Sequence, residues 1–229
     1  HAGRAYGPEA LRIVAQGIAS PREVDVLMKE AGFRMGPFEL LDLIGADVTH
    51  AVMTSIHDQY FGEPMYQPSA ELTVRVAGGL LGRKTMHGFY DYDGLTPQPA
   101  APTIRIEPQP EPAAAWIADE DGGRELAEWL AAAGVKTQVG GAPPEGALCF
   151  VTPLGEDATG AAVRLKLDPA RTVAVDMLGR FAARRTVMKT PLTTAEALGA
   201  AVAALSVGAA VTAINDSAGF VVQRLLAMI

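Results

Sequence analysis

The sequence predicts an α+α/β chain, in which an all-helical bundle is followed by a smaller α/β domain. Residues 1–95 carry helix caps and apolar positions spaced three or four apart, as amphipathic helices do. Residues 114–214 instead alternate strand-like and helix-like segments. Between them, clustered prolines predict an extended linker at residues 96–113. Residues 215–229 are then expected to begin a second helical domain.

Five helices are predicted in the first part, each from a start signal and an apolar stripe. Ser20 and Glu23 have the spacing of a capping box, and the intervening Pro21 suits the first helical position. Such short helices predict a compact bundle. The predicted helices are Glu9–Gln16, one opened by Ser20-Pro21, one opened by Gly36-Pro37 and closed by Gly45, one capped by Asp47, and one running from Ser69 through Leu72 and Val76 to Leu80.

Strands and helices alternate in the second part, which predicts a parallel or mixed sheet. The predicted strands are Ala114–Ala118, Val135–Val139, Ala147–Thr152, Thr172–Asp176 and Ala209–Ile214. The predicted helices are Arg124–Ala133, Ala158–Leu165, an Ala-rich helix with a Thr193–Glu196 capping box, and Phe220–Met228. The last helix is strongly apolar and is expected to be covered by a continuing chain or a partner. Its apolar residues are Phe220, Val221, Leu225, Leu226 and Ile229.

Composition excludes several classes of protein. Nineteen Lys and Arg against 26 Asp and Glu give a net charge of −7, which argues against a nucleic-acid partner. An apolar fraction of 49% argues against wholesale disorder. The uncharged run Ala197–Ile214 is rich in Ala and Gly and is expected to form a helix and a strand, not a membrane span. With a single cysteine and no signal peptide, the prediction is a soluble, cytoplasmic protein.

Nucleotide and metal motifs are absent from the sequence. Neither GxGxxG nor GxxxxGK[ST] occurs. A nucleotide site between Ala114 and Gly141 remains an alternative, although Asp119-Glu120-Asp121 at the first turn would repel a pyrophosphate. His50 and His57 are seven residues apart, too far for a shared metal on one helix, so no metal site is expected.

Other polar residues have ordinary structural interpretations. Cys149 lies in an apolar strand and is interpreted as a core residue. Glu39 and Asp42 flank an apolar stripe and form either an acid/base pair or, as the sequence favours, solvated carboxylates near a helix start. His1 is interpreted as a tag remnant. From chemistry alone, the sequence predicts no self-sufficient active site.

Two long phrases go beyond composition. One is GFRMGPFELLDLIGADV at Gly32–Val48, and the other runs from Pro68 to Tyr92 and includes LGRKT and GFYDY. Their order and spacing resemble the C-terminal helical domain of the 3-hydroxyacyl-CoA dehydrogenase family. The resemblance extends over most of residues 5–93.

The resemblance implies a helical substrate and dimer domain. In the family, an N-terminal Rossmann domain binds NAD, and its His–Glu pair removes the 3-hydroxyl proton while hydride passes to the nicotinamide. By this resemblance, Arg83 and Lys84 either meet a CoA phosphate or form a solvated turn. The residues expected at a homodimer interface are Met35, Pro37, Phe38, Leu41 and Ile44.

The second part resembles the family more weakly. Asn215–Arg224 is similar to the junction that opens the helical domain, and Gln223 stands where the family has a substrate-holding Asn. Met177–Thr190 occupies the place of the family's catalytic-His loop, yet contains no histidine. Residues 114–214 are therefore identified as a degenerate Rossmann-like module before a second helical copy, an arrangement similar to that of longer bacterial members.

The expected function is that of a fragment of an NAD-dependent 3-hydroxyacyl-CoA dehydrogenase, acting in fatty-acid or aromatic-acid breakdown. The first residues are similar to those that follow the family's Asn phrase, so the NAD-binding domain is expected upstream. The chain alone is expected to bind no NAD and to be inactive, while the full-length enzyme would use NAD and an acyl-CoA substrate. The alternative is a non-catalytic dimerisation or interaction module derived from that family.

Overall fold

The computed structural model describes residues 4–98, 101–178 and 184–229, which form two compact units. The first contains residues 1–102 and 224–229, and the second contains residues 103–223. The chain mixes α-helices with a largely parallel sheet. His1 lies outside the described residues.

The first unit is helical. Its helices are α1 (Tyr6–Ala15), α2 (Pro21–Glu30), α3 (Pro37–Ile44), α4 (Ala46–Gln59) and α5 (Ala70–Ala77), followed by a hairpin of β1 (Tyr92–Asp93) and β2 (Thr96–Pro97). The apolar stripes meet in one core, because a helix must bury its apolar face to be stable in water. The fully buried side chains include Leu11, Ile13, Met28, Phe38 and Leu72.

The helix starts confirm one predicted cap and correct another. The Ser20 hydroxyl accepts a hydrogen bond from Glu23 N at 3.3 Å, and the Glu23 carboxylate accepts one from Ser20 N at 2.7 Å, which completes the capping box. Asp47 is not a cap, because α4 begins at Ala46 directly after Gly45. Leu80 does not belong to α5, which ends at Ala77.

The second unit is an α/β unit built on a six-stranded sheet. Its strands are β3 (Ala114–Ile117), β4 (Lys136–Val139), β5 (Leu148–Val151), β6 (Thr172–Val175), β7 (Arg184–Lys189) and β8 (Ala210–Ile214). Its helices are α6 (Gly123–Ala132), α7 (Ala158–Leu165) and α8 (Ala195–Leu205). The strand order is β4-β3-β5-β6-β7-β8, and all neighbours are parallel except β6 and β7. The chain ends in α9 (Val221–Leu226).

The structure corrects two predictions after β6. Within Met177–Thr190, which was expected to be a loop, Arg184–Lys189 forms β7, while residues 179–183 lie outside the described part. The cap of α8 is Thr194 and not Thr193. Thr193 is unavailable because its hydroxyl bonds Thr190 N and Thr172 O, both at 2.9 Å.

The last helix is shorter than predicted and largely covered. Phe220, Val221 and Leu225 are buried within the chain itself, so the expectation that a continuing chain or a partner covers them is wrong for these three residues. Leu226 and Ile229 stay partly exposed, at 42% and 53%.

The proline-rich segment is extended but not free. Residues 103–113 contain neither helix nor strand, yet Ile104 and Ile106 pack against the core of the α/β unit. A Cβ on Gly199 of α8 would lie 2.6 Å from the carbonyl oxygen of Glu107 and would overlap the side chain of Gln109. The predicted linker therefore forms part of this unit from residue 103 onwards.

The long uncharged run divides as predicted, between α8 and β8. Among the residues that the structure describes, no helix has the length and apolar character required to cross a membrane.

Candidate functional site

A buried carboxylate organises the first sequence phrase. Asp25 on α2 accepts hydrogen bonds from Phe38 N and Glu39 N at 2.8 Å, and from the Tyr90 hydroxyl at 2.7 Å. It thereby satisfies N–H groups that the first turn of α3 leaves unpaired. A Cβ on Gly36 would overlap Asp25, which explains the glycine before Pro37. Burial raises the pKa of Asp25 to about 6, and its three hydrogen bonds act in the opposite direction.

A second buried carboxylate joins the two phrases. Asp42 on α3 is 1% exposed and accepts hydrogen bonds from Phe89 N at 2.9 Å, Tyr90 N at 3.0 Å and the Tyr92 hydroxyl at 2.9 Å. A Cβ on Gly88 would overlap its carboxylate. Asp42 is therefore not the solvated carboxylate that the sequence favoured, because the GFYDY segment covers it.

Glu39 takes no part in an acid/base pair with Asp42. Its carboxylate pairs with Lys29 at 2.6 Å on the surface of the bundle. The geometry of the two phrases thus rests on Asp25 and Asp42 as structural groups, each accepting three hydrogen bonds.

Arg83 and Lys84 lie together in a short 3-10 turn, Arg83–Thr85. Lys84 forms an ion pair with Asp47, and both side chains are about two-fifths exposed, at 42% and 41%. The guanidinium of Arg83 lies 5.7 Å from the centre of the Tyr92 ring, and Arg83 Nε is buried without a hydrogen-bond partner among the described residues. The turn thus presents two adjacent cations, each in contact with a side chain of its own unit.

The predicted interface residues divide into core and surface. Pro37, Phe38 and Leu41 are buried within the helical unit, Met35 is half-buried, and Ile44 is 47% exposed. Only Ile44 therefore presents a large apolar surface. It belongs to a set of half-exposed apolar residues on α3 and α4, which we call the apolar face. The apolar face consists of Leu40, Leu43, Ile44, Val48 and Val52.

Gln223 lies at the carboxyl ends of the parallel strands of the α/β unit, where it is 8% exposed. Its Oε1 accepts a hydrogen bond from Gly155 N at 3.0 Å, and its Nε2 donates to Asp176 Oδ1 at 3.0 Å and Pro153 O at 3.5 Å. Both ends of the amide are therefore engaged by the protein. The adjoining cleft has a volume of about 230 Å³.

A larger cavity of about 610 Å³ lies at the opposite, amino edge of the same sheet. Its wall contains residues 109–113 and the first half of α8. The charged side chains around it comprise two cations and three carboxylates. They are Lys136, Arg171, Glu111, Glu145 and Glu196. This mixture of signs favours neither an anionic nor a cationic ligand.

His50, His87 and Cys149 each make separate contacts and do not form a shared reactive site. His50 Nε2 lies 3.0 Å from Thr73 Oγ1, and His87 Nδ1 lies 2.8 Å from Asp91 on the surface. Within residues 4–98, 101–178 and 184–229, no three His, Cys, Asp or Glu side chains are grouped to hold a metal. Cys149 is buried, and burial raises the pKa of its thiol to about 11, which removes the thiolate needed for nucleophilic chemistry.

The helical unit matches a known domain. The sequence model of the 3-hydroxyacyl-CoA dehydrogenase C-terminal domain matches residues 2–92. Over 88 residues the chain is 43% identical to human mitochondrial hydroxyacyl-coenzyme A dehydrogenase, and over 90 residues it is 41% identical to 3-hydroxyadipyl-CoA dehydrogenase of Escherichia coli. Residues 2–92 are thus similar to the C-terminal domain of 3-hydroxyacyl-CoA dehydrogenases.

A solved structure resembles nearly the whole chain. The 3-hydroxybutyryl-CoA dehydrogenase of Escherichia coli aligns with 99% of this chain at a TM-score of 0.68 and 26% identity. The alignment covers 43% of that structure. The matched segment also covers only 28% of the human relative and 19% of the 3-hydroxyadipyl-CoA dehydrogenase.

Proposed function

We propose that the chain is part of an NAD-dependent 3-hydroxyacyl-CoA dehydrogenase that oxidises 3-hydroxyacyl-CoA to 3-oxoacyl-CoA in fatty-acid or aromatic-acid breakdown. The observation that best supports this proposal is the pair of buried carboxylates, Asp25 and Asp42. Their hydrogen bonds hold in place the two sequence phrases that resemble the family, so the helical domain is structurally intact. Residues 1–95 are the substrate and dimer domain of this enzyme. Its location is cytoplasmic, in line with a single, reduced cysteine.

The reaction needs groups beyond this chain. NAD supplies the hydride acceptor when it is bound, and the sequence lacks the glycine fingerprint that holds its pyrophosphate. The proposed part of this chain is to bind acyl-CoA and to form the dimer. The α/β unit is a degenerate Rossmann-like module before a second helical copy, a proposal supported by the likeness to the longer Escherichia coli structure.

The isolated chain is therefore expected to be inactive. The test is to mix the purified 229-residue chain with NAD and 3-hydroxybutyryl-CoA and follow NADH formation. A full-length member of the family serves as the positive control. Turnover by the chain alone would overturn this part of the proposal.

A substrate role for Arg83 and Lys84 can be tested separately. Acetoacetyl-CoA is expected to protect the Arg83–Thr85 turn in hydrogen exchange, because two adjacent cations suit a phosphate. Replacing both cations by Ala should weaken binding about tenfold or more, the size of one charge-assisted hydrogen bond. Lys29→Ala is a matched control, because it removes a surface lysine that is also ion-paired. Equal binding by the variants would contradict the proposed contact.

The alternative is a non-catalytic interaction module. The internal engagement of the Gln223 amide favours it, because both its oxygen and its nitrogen already bond to groups of the protein. The exchange experiment separates the two. Protection of the Arg83–Thr85 turn by acyl-CoA supports the enzyme domain, and its absence supports the interaction module.

A further inference from the structure

The topology of the α/β unit identifies the place where a ligand would ordinarily bind. β3 lies between β4 and β5, and the chain passes from β3 to β4 before crossing back to β5. In such sheets, ligands bind at the carboxyl ends of the strands where the direction of winding reverses. In this unit that place is the cleft of about 230 Å³ beside Gln223, which we call the switch crevice.

The first turn of the crevice does not fit a pyrophosphate. A dinucleotide approaches the backbone of a glycine loop at a helix N-terminus. The loop here carries Asp119, Glu120 and Asp121, and its Gly122 faces the side chain of Met177. A Cβ on Gly122 would lie only 2.7 Å from Met177 Cβ. The space that Gly122 leaves open by having no side chain is therefore filled by Met177 of the same unit.

The acidic loop is already paired with a cation of the same unit, Arg164. Arg164 on α7 pairs with Glu120 at 2.6 Å and with Glu156 at 2.7 Å. The hydrogen bonds that Arg164 donates to these two carboxylates raise its pKa above the ordinary value. Arg164 is therefore committed to neutralising this loop and is not available to a phosphate.

Thr152, Asp176 and Gln223 of the crevice form hydrogen bonds within the unit. The Thr152 hydroxyl donates to Asp121 O at 2.8 Å, and Asp176 accepts from Leu178 N at 3.0 Å as well as from Gln223. Gln223 connects the segment that follows β5, through Gly155, to the segment that follows β6, through Asp176. These contacts hold together two of the loops that a bound nucleotide would separate.

We propose that the switch crevice of the α/β unit is closed to nucleotides and that Gln223 is its clasp, the residue whose hydrogen bonds hold the loops of the crevice together. The remaining space of about 230 Å³ is below the roughly 300–1,000 Å³ typical of small-molecule sites, and a dinucleotide is a large ligand. An amide at the position of the family's substrate-holding Asn thus has a structural role in this unit. The inference concerns the α/β unit alone and stands whether or not the helical unit binds acyl-CoA.

The first test is titration of the full chain with NAD⁺, NADH and AMP, each at millimolar concentration, followed by hydrogen exchange. No change is expected at residues 118–125, 152–155 and 176–178. Protection of these segments by any of the three nucleotides would overturn the proposal. Acetoacetyl-CoA run in parallel reports on the helical unit, so the outcome for the proposed enzyme domain is read separately.

The second test concerns the clasp. Gln223→Ala should speed exchange at Gly155 and at residues 176–178 about fivefold or more, the effect of losing one buried hydrogen bond. Gln138→Ala is the matched control, because the Gln138 amide also donates to backbone carbonyls but is exposed. Gln223→Glu keeps the acceptor for Gly155 and loses the donor to Asp176, so it should loosen residues 176–178 more than Gly155. Exchange in both Gln223 variants that matches the Gln138 control would show that Gln223 is no clasp.

Discussion

Asp25 and Asp42 show what a single residue contributes here and why its role was hard to predict. The sequence identified the two phrases correctly but favoured a solvent-exposed Asp42, since carboxylates beside an apolar stripe are usually hydrated. The groups that bury it, at Phe89, Tyr90 and Tyr92, lie almost fifty positions later in the chain. No local spacing encodes such a contact. What the sequence did contain were the glycines that make it possible, such as Gly88.

The raised pKa of Asp25 predicts how stability depends on pH. Its folded pKa of about 6 exceeds its ordinary value of 3.8, so the folded state keeps this proton to higher pH than the unfolded state does. The stabilisation from this group is complete below about pH 4 and is lost as pH rises through 6, by up to about 3 kcal/mol. Urea unfolding of the wild type and Asp25→Asn at pH 4 to 7 should show that the difference between their free energies of unfolding becomes smaller as the pH rises.

Asp47→Asn is the control for that series. The pKa of the exposed Asp47 carboxyl is lowered from 3.8, chiefly by its hydrogen bond from Lys84, so its stabilisation is lost only as pH falls below that value and the difference from the wild type should stay nearly constant from pH 4 to 7. A difference between the wild type and Asp25→Asn that stays constant from pH 4 to 7 would contradict the role given to Asp25.

At the scale of elements, local cap and turn signals predicted some boundaries and missed others, such as the caps of α4 and α8. The structure confirms the Ser20 capping box and gives α7 the predicted bounds, Ala158–Leu165. The strand β7, which begins with two arginines, was not predicted, because the family resemblance placed the catalytic-His loop in this segment. Arg185 is nevertheless 3% exposed, because its guanidinium lies 3.2 Å from the centre of the Trp129 ring and donates to Leu205 O at the end of α8. A buried cation of this kind depends on partners from other elements.

The contact between α8 and the proline-rich segment predicts an unusual cost for alanine at Gly199. Alanine normally improves a helix interior relative to glycine by about 1 kcal/mol. At Gly199 it would press against the Glu107 carbonyl oxygen at 2.6 Å, a backbone atom that cannot rotate away, so we expect a net loss of about 1–3 kcal/mol. Chemical denaturation measures the difference.

Gly160→Ala in α7 is the matched control for Gly199→Ala. The nearest atoms to a Cβ on Gly160 are side-chain atoms of Asp157 and Glu156 at 3.1 Å or more, so this substitution should be close to neutral. If the two alanine variants are equally stable, the proline-rich segment does not press on α8 as the structure shows.

For the whole molecule, prolines predicted where the two parts meet but not to which part the connecting segment belongs. Residues 103–113 group with the α/β unit because Ile104 and Ile106 pack on its core. Residues 224–229 group with the helical unit, where Arg224 pairs with Glu9 of α1 at 2.6 Å. Both assignments depend on contacts between residues distant in sequence. A pattern of prolines or apolar positions reports only local preference.

The proposed dimer is a property of the whole molecule and rests on the apolar face of α3 and α4. Large apolar side chains on successive helical turns are exposed by 39% to 51%, which is typical of a protein-binding surface.

We expect the wild-type chain to be dimeric at tens of micromolar in sedimentation equilibrium. Val52→Glu should weaken the dimer about thirtyfold or more, because a charge would be buried without a partner. Val163→Glu, which alters an exposed valine of the α/β unit, should leave it unchanged. A wild-type monomer, or equal dimer stability in both variants, would exclude this face as the interface.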